Sequence, residues 1–128
     1  MRPGPPRGAT ATLEVTVRAD LVEPGEPAVY GTTQLAGDVT RVCRRLLEGH
    51  LEAGESATGV RLELLQRAPV AVGESLVLTA TVASVAPASL TAEVLVRHHS
   101  ALVARGSYEL AIVADDDVAA EVTARARP

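Results

Sequence analysis

Few side chains in this sequence are able to move a proton, and fewer are spaced to act together. Thr32 and Thr33 place hydroxyls where a long amphipathic stretch begins, and Asp38 is the nearest carboxylate within it. Gln66 closes a run carrying Leu62, Leu64 and Leu65, so it either faces a cavity or marks the run's exit to solvent. The first amides of a helix are unpaired and carry partial positive charge, which polarises a carbonyl placed against them. A threonine there is equally a cap that accepts from those amides. Arg41, Arg44 and Arg45 share the polar side of the same stretch. They suit bidentate contact with phosphate, or they stand in solvent with Glu48 and Asp38 as partners. His98 and His99 are adjacent, and neighbours on a strand point to opposite faces, which makes them a poor pair of metal ligands. The lone Cys43 lies on the apolar side of the stretch and reads as a buried thiol; it excludes an internal disulfide and a cysteine-based zinc site.

The stretch itself, Gly31–Gly49 (GTTQLAGDVTRVCRRLLEG), is the one long helix the sequence offers. Leu35, Val39, Val42, Cys43, Leu46 and Leu47 fall on a 3.6-residue period, and Gly49 is placed to end the helix in a left-handed conformation. Before it, Ala11–Arg18 alternates as a half-buried strand, and the Pro- and Gly-rich residues 20–27 form a loop. After it come strands over Ala57–Gln66, Ser75–Val85, Ser89–His98 and Ala101–Val113, joined by a turn with Pro69 and Gly73 and then by hairpin-length links. Four strands in a meander with one helix across their face make an α+β domain over residues 10–114. Residues 1–9 read as a flexible arm, and residues 115–128 as a flexible charged tail holding at most a frayed helical turn.

The 128-residue chain is one domain with a 47% apolar composition, yet it has no Phe, no Trp and only two Tyr, so its core relies on Val, Leu and Ala. A net charge of −4, no basic block and almost no aromatics argue against nucleic acid as a partner. No segment approaches a membrane span, and the first nine residues lack the apolar centre of a secretory signal, so the expected location is the cytoplasm.

Three local patterns resemble the fluoroacetyl-CoA thioesterase family, a branch of the hotdog-fold thioesterases. Thr32 and Gly37 stand at the spacing of that family's active-site threonine and helix glycine. LEAGESATGV (Leu51–Val60) followed by QRAPVAVG (Gln66–Gly73) is similar to its strand and His-x-x-Pro-like turn, and ARGSYELAIV (Ala104–Val113) resembles its closing strand. The resemblance spans roughly residues 11–113 and implies a hotdog fold, one central helix wrapped by about five antiparallel strands. It also implies a homodimer whose groove handles a small acyl thioester of coenzyme A or a carrier protein, with no cofactor and no metal. Family members are similar in using a threonine, a helix carboxylate and a strand histidine. Here the threonine falls at Thr32, but the carboxylate falls at Thr40 and the histidine at Gln66, both limited to hydrogen bonding.

On this reading Thr32 orients the carbonyl or the water, Gln66 lines the pocket, and Asp38 is a base in reserve. Asp38 is rotated by ~200° from Thr40 around the helix. Thr33, Gly37, Thr40, Arg41 and Pro69 are the expected substrate contacts. Hydrolysis is the first reading of function. A catalytically degenerate hotdog that binds a small molecule is the second. A third is a dehydration, isomerisation or cyclisation in the same groove.

Overall fold

The computed structural model describes Met1 and residues 3–126; Arg2, Arg127 and Pro128, which the expected arm and tail include, lie outside the described residues. Helix α1 spans Thr32–Arg45. Leu35, Val39, Val42 and Cys43 are fully buried, Leu46 and Leu47 follow in the next turn, and Gly49 closes it at φ +80°, a region that favours glycine. The threonines expected as caps do not cap. Gly31 takes the N-cap in extended backbone, and no side chain bonds the free amides. A capping hydroxyl must precede the first turn, whereas Thr32 and Thr33 are already in it.

Five antiparallel strands curve around α1: β1 (Thr10–Thr16), β2 (Glu55–Gln66), β3 (Ser75–Ala86), β4 (Ser89–His98) and β5 (Ala101–Ala114). Their order across the sheet is β1-β3-β4-β5-β2. The meander expected from the hairpin-length links therefore holds only for β3, β4 and β5. β2 pairs with β5 at the far edge, because residues 67–74 carry the chain around the start of the helix, held by bonds from Arg67 and Ala68 N–H to Val103 O and a bridge between Val29 and Ala71.

Directly paired residues share a face of the sheet. One row runs Leu13, Leu78, Val96, Ala104 and Gln66. The first four are buried core residues, so register alone turns Gln66 toward the helix. The next row ends at Gly106 and Leu64. A Cβ on Gly106 would lie 3.0 Å from Leu64 Cδ2 and 3.2 Å from Glu63 O, so the missing side chain makes room for β2 beside it, with Val39 of α1 in ordinary contact at 3.7 Å.

The two ends of the chain differ from their compositional reading. The Met1 side chain is buried, and its amino group bonds both Glu55 oxygens at 2.7 and 2.8 Å. Gly8 N–H reaches Val82 O, which ties the arm to β3. The charged tail forms a second helix, α2 (Asp115–Arg125), begun by a bond from Asp115 N–H to Gly54 O and one between the Ser56 hydroxyl and Asp115. Three aspartates in its first turn complement the helix dipole. None of its residues is buried.

Candidate active site at the start of the helix

Tyr30, the residue before the N-cap, is wholly buried and bonded through every polar atom it has. Its N–H donates to Val70 O at 2.8 Å, its carbonyl accepts from Gln66 Nε2 at 2.6 Å, and its hydroxyl donates to Asp38 Oδ2 at 2.6 Å. Burial, then the hydrogen bond to the Asp38 carboxylate, raises the phenol far above its ordinary range, so it stays protonated and gives its hydrogen to Asp38. A carbonyl cannot donate, so the Gln66 NH2 must face Tyr30 and Oε1 is the amide's remaining acceptor.

Gln66 lines a recess of about 250 Å³ with Thr32, Thr33, Gly31 and the loop residues Leu21–Glu23, Glu26, Pro27 and Val29. The first intrahelical bond runs from Leu35 N–H to Gly31 O at 3.0 Å. The amides of Thr32, Thr33 and Gln34 precede it and have no carbonyl one turn back. The recess thus combines helix-start N–H groups, an exposed threonine hydroxyl and an amide oxygen. That set polarises a carbonyl and orients a water, while none of its three members removes a proton at neutral pH.

Asp38 lies elsewhere. It lines a second groove, of about 470 Å³, between α1 and β1, together with Thr33, Gly37 and Arg41. It was expected on the solvated side of the helix, yet it is only 7% exposed. Its Oδ2 holds Tyr30 and its Oδ1 accepts from Arg41 Nη2 at 2.5 Å. Gln34, one turn earlier, is buried beside it and clamps the backbone two residues past β1, accepting from Arg18 N–H at 2.7 Å and donating to Arg18 O at 3.3 Å. Arg44 and Arg45 do not stand free for phosphate: they donate to Ala57 O on β2 at 3.0 Å and Thr12 O on β1 at 2.7 Å.

With this geometry in view, residues 11–116 match the family model for fluoroacetyl-CoA-specific thioesterase, FlK. The chain belongs to this family. Solved structures agree on the fold. FlK itself superposes with a TM-score of 0.88 at 22% identity, covering 98% of this chain and 99% of FlK. A hypothetical thioesterase-superfamily member from Thermus thermophilus gives 0.88 at 23% identity, covering 96% and 93%. A hot-dog-like protein from Thermanaerovibrio acidaminovorans gives 0.90 at 21%, covering 96% and 94%. No curated protein sequence matches this chain.

The remaining expected residues of this FlK-family member fall outside the recess. Thr40 is half-buried and its hydroxyl donates to Ala36 O at 2.8 Å, the back-bond to the previous turn. It lies on the side of α1 from which Arg44, one turn on, reaches β2. Pro69 is exposed and lines neither the recess nor the groove. His98 and His99 sit at the β4–β5 hairpin with ring centroids 4.2 Å apart; His98 Nε2 is buried, unbonded, and 3.8 Å from Glu74 Oε2. Cys43 is buried, and burial pushes its thiol up to about 12. Among the described residues no group of three or more His, Cys, Asp or Glu is placed to hold a metal ion, and no helix is long and apolar enough to cross a membrane.

Sequence reasoning missed Tyr30 and Gln34 as site-building residues. The spacing of Gln34 and Asp38, four apart and flanking Leu35 and Val39, was the available signal. It places both at the margin of the apolar stripe.

Proposed function

We propose that this protein hydrolyses a small acyl thioester carried by coenzyme A or by a carrier protein. The observation that carries the reading is the recess at the start of α1, which gathers unpaired helix amides, Thr32 and the Gln66 amide oxygen. FlK has been crystallised with fluoroacetate and with acetyl-CoA in forms whose threonine was replaced by alanine or serine. That agrees with a threonine beside the acyl group here.

In the proposed mechanism the thioester carbonyl oxygen rests against the first-turn amides, whose fixed dipoles favour the charge that develops on attack. Thr32 Oγ1 orients the acyl group, and Gln66 Oε1 accepts from the attacking water. Tyr30, pinned by Asp38, holds Gln66 and the helix start in one geometry. Asp38 acts through Tyr30 and not on the substrate, because both its oxygens are engaged. Thr33 and Gly37 border the groove in which Arg41 approaches a ligand's phosphates from its 61% exposed side chain.

The protein works as a cytoplasmic homodimer on this reading. β2 is an edge strand with Val60 61%, Leu62 37% and Leu65 47% exposed, and a second β2 would cover that edge. The functional test is thiol release from a panel of short and aryl acyl-CoAs by purified protein. Turnover well above the buffer rate on at least one member is expected. Saturable binding without turnover would instead favour a sequestering protein or a non-hydrolytic reaction. Thr40 supports that second reading, since it offers no carboxylate and bonds its own helix.

A further inference from the structure

Hydrolysis needs a proton acceptor, and neither α1 nor β2 brings one to the recess. The third wall does. After the one-turn 3-10 helix Ala19–Leu21, the chain makes a β-turn in which Glu26 N–H donates to Glu23 O at 3.0 Å. Pro24 and Gly25 occupy its centre, with Gly25 at φ +85°, the pairing that a type II turn demands. Such a turn brings its first and last residues together. Glu23 and Glu26 both line the recess with Thr32 and Gln66, while Pro24 and Gly25 do not.

The turn is tied at both ends. Val22 N–H donates to Ala19 O at 3.3 Å, and Val29 bridges to Ala71 before the buried Tyr30. Among the described residues neither glutamate is in an ion pair or a side-chain hydrogen bond, in contrast to Asp38 with both oxygens engaged.

We propose that the Glu23–Glu26 turn supplies the general base of this site. This rests on the hydrolytic reading above. One of the two carboxylates takes a proton from the water held by Gln66 Oε1, as the water oxygen bonds to the thioester carbonyl carbon. The carbonyl π electrons move to the oxygen, which the helix-start amides stabilise. When the tetrahedral intermediate collapses, the C–S bond breaks and the leaving sulfur takes the proton back from the glutamic acid. The products are a carboxylic acid and a free thiol, and the glutamate is regenerated. The base has moved from the helix to the loop before it.

The test compares wild type with Glu23→Gln, Glu26→Gln and the double variant on the best acyl-CoA of the panel. It reads kcat and KM against pH, and the affinity for a non-hydrolysable thioether analogue of that substrate. Both glutamates are exposed, so the amides fold as the acids do. The double variant is expected to lose about 10²–10⁴-fold in kcat, to lose the acidic limb of the wild-type pH profile, and to bind the analogue as wild type does. One single variant should reproduce most of the loss. A double variant that keeps the wild-type rate and acidic limb overturns the proposal, though hydrolysis itself stands. A loss confined to KM and analogue affinity also overturns it, making the turn a binding contact. Wild-type protein with no turnover overturns the hydrolytic reading, and this proposal with it.

Discussion

Replacing Tyr30 by Phe tests the arrangement at the helix start through one oxygen atom. The ring is wholly buried and its packing survives the change. What is lost is the 2.6 Å bond from the hydroxyl to Asp38 Oδ2, leaving a carboxylate that is 7% exposed with a single partner. A buried hydrogen bond to a charged acceptor contributes about 1.5–3 kcal/mol. The remaining partner, Arg41, has a 61% exposed side chain, so solvent screens that pair and it compensates little. Equilibrium urea unfolding should show a loss of about 1.5–3 kcal/mol with an unchanged slope. In a double-mutant cycle with Asp38→Ala the two losses should overlap by about 1 kcal/mol or more, since both remove the same contact. A Tyr30→Phe loss below about 0.5 kcal/mol would refute the reasoning, because that is the scale of an exposed, screened contact.

Three further outcomes are expected. Gly37→Ala should stabilise the protein by about 0.5–1 kcal/mol, because a Cβ there meets nothing within 4 Å and helical alanine is favoured over glycine; a weaker affinity of the same variant for acyl-CoA would locate a ligand in the Asp38 groove. Cys43 should resist thiol reagents at pH 8 in the native protein and react on unfolding. Its folded value is raised to about 12, above that of an unfolded thiol near ~8.5. The stability it contributes is therefore fully present below about pH 8.5 and lost as pH rises toward 12, and Cys43→Ala should remove that slope in urea titrations. Val60→Asp should turn the proposed dimer into a monomer in sedimentation velocity without altering its circular dichroism, given 61% exposure on the edge strand.

The helix was legible because six apolar residues keep one period, and the structure buries all six. Its polar margin was not legible. Gln34 and Asp38 look like solvated positions until Arg18 and Tyr30, 16 and 8 residues away from their respective partners, supply the bonds that permit their burial. The strands were readable from alternation and turn residues, but the pairing of β2 with β5 was not. β2 has no buried residue to give it a strong alternating pattern, and its neighbour is chosen by how the chain passes the helix start. Gln66 illustrates the gap. Local sequence left it facing either a cavity or solvent, and only the row through Ala104 and Val96 decides between them. Glu23 and Glu26 went unread for a related reason, since a Pro-Gly turn announces a loop and says nothing of what the loop covers.

Arg44 and Arg45 have a consequence beyond anchoring the helix. Their guanidinium groups take carbonyls of β2 and β1, the two outer strands of the sheet. An uncovered outer strand recruits extended segments of other chains, the first step toward insoluble assembly. At each rim one acceptor is already occupied, Ala57 O on β2 and Thr12 O on β1, so an added strand can pair only along the part of the edge that the arginine leaves open. The helix that builds the recess thereby also limits which chains can add to the sheet, and where along its margin they can begin.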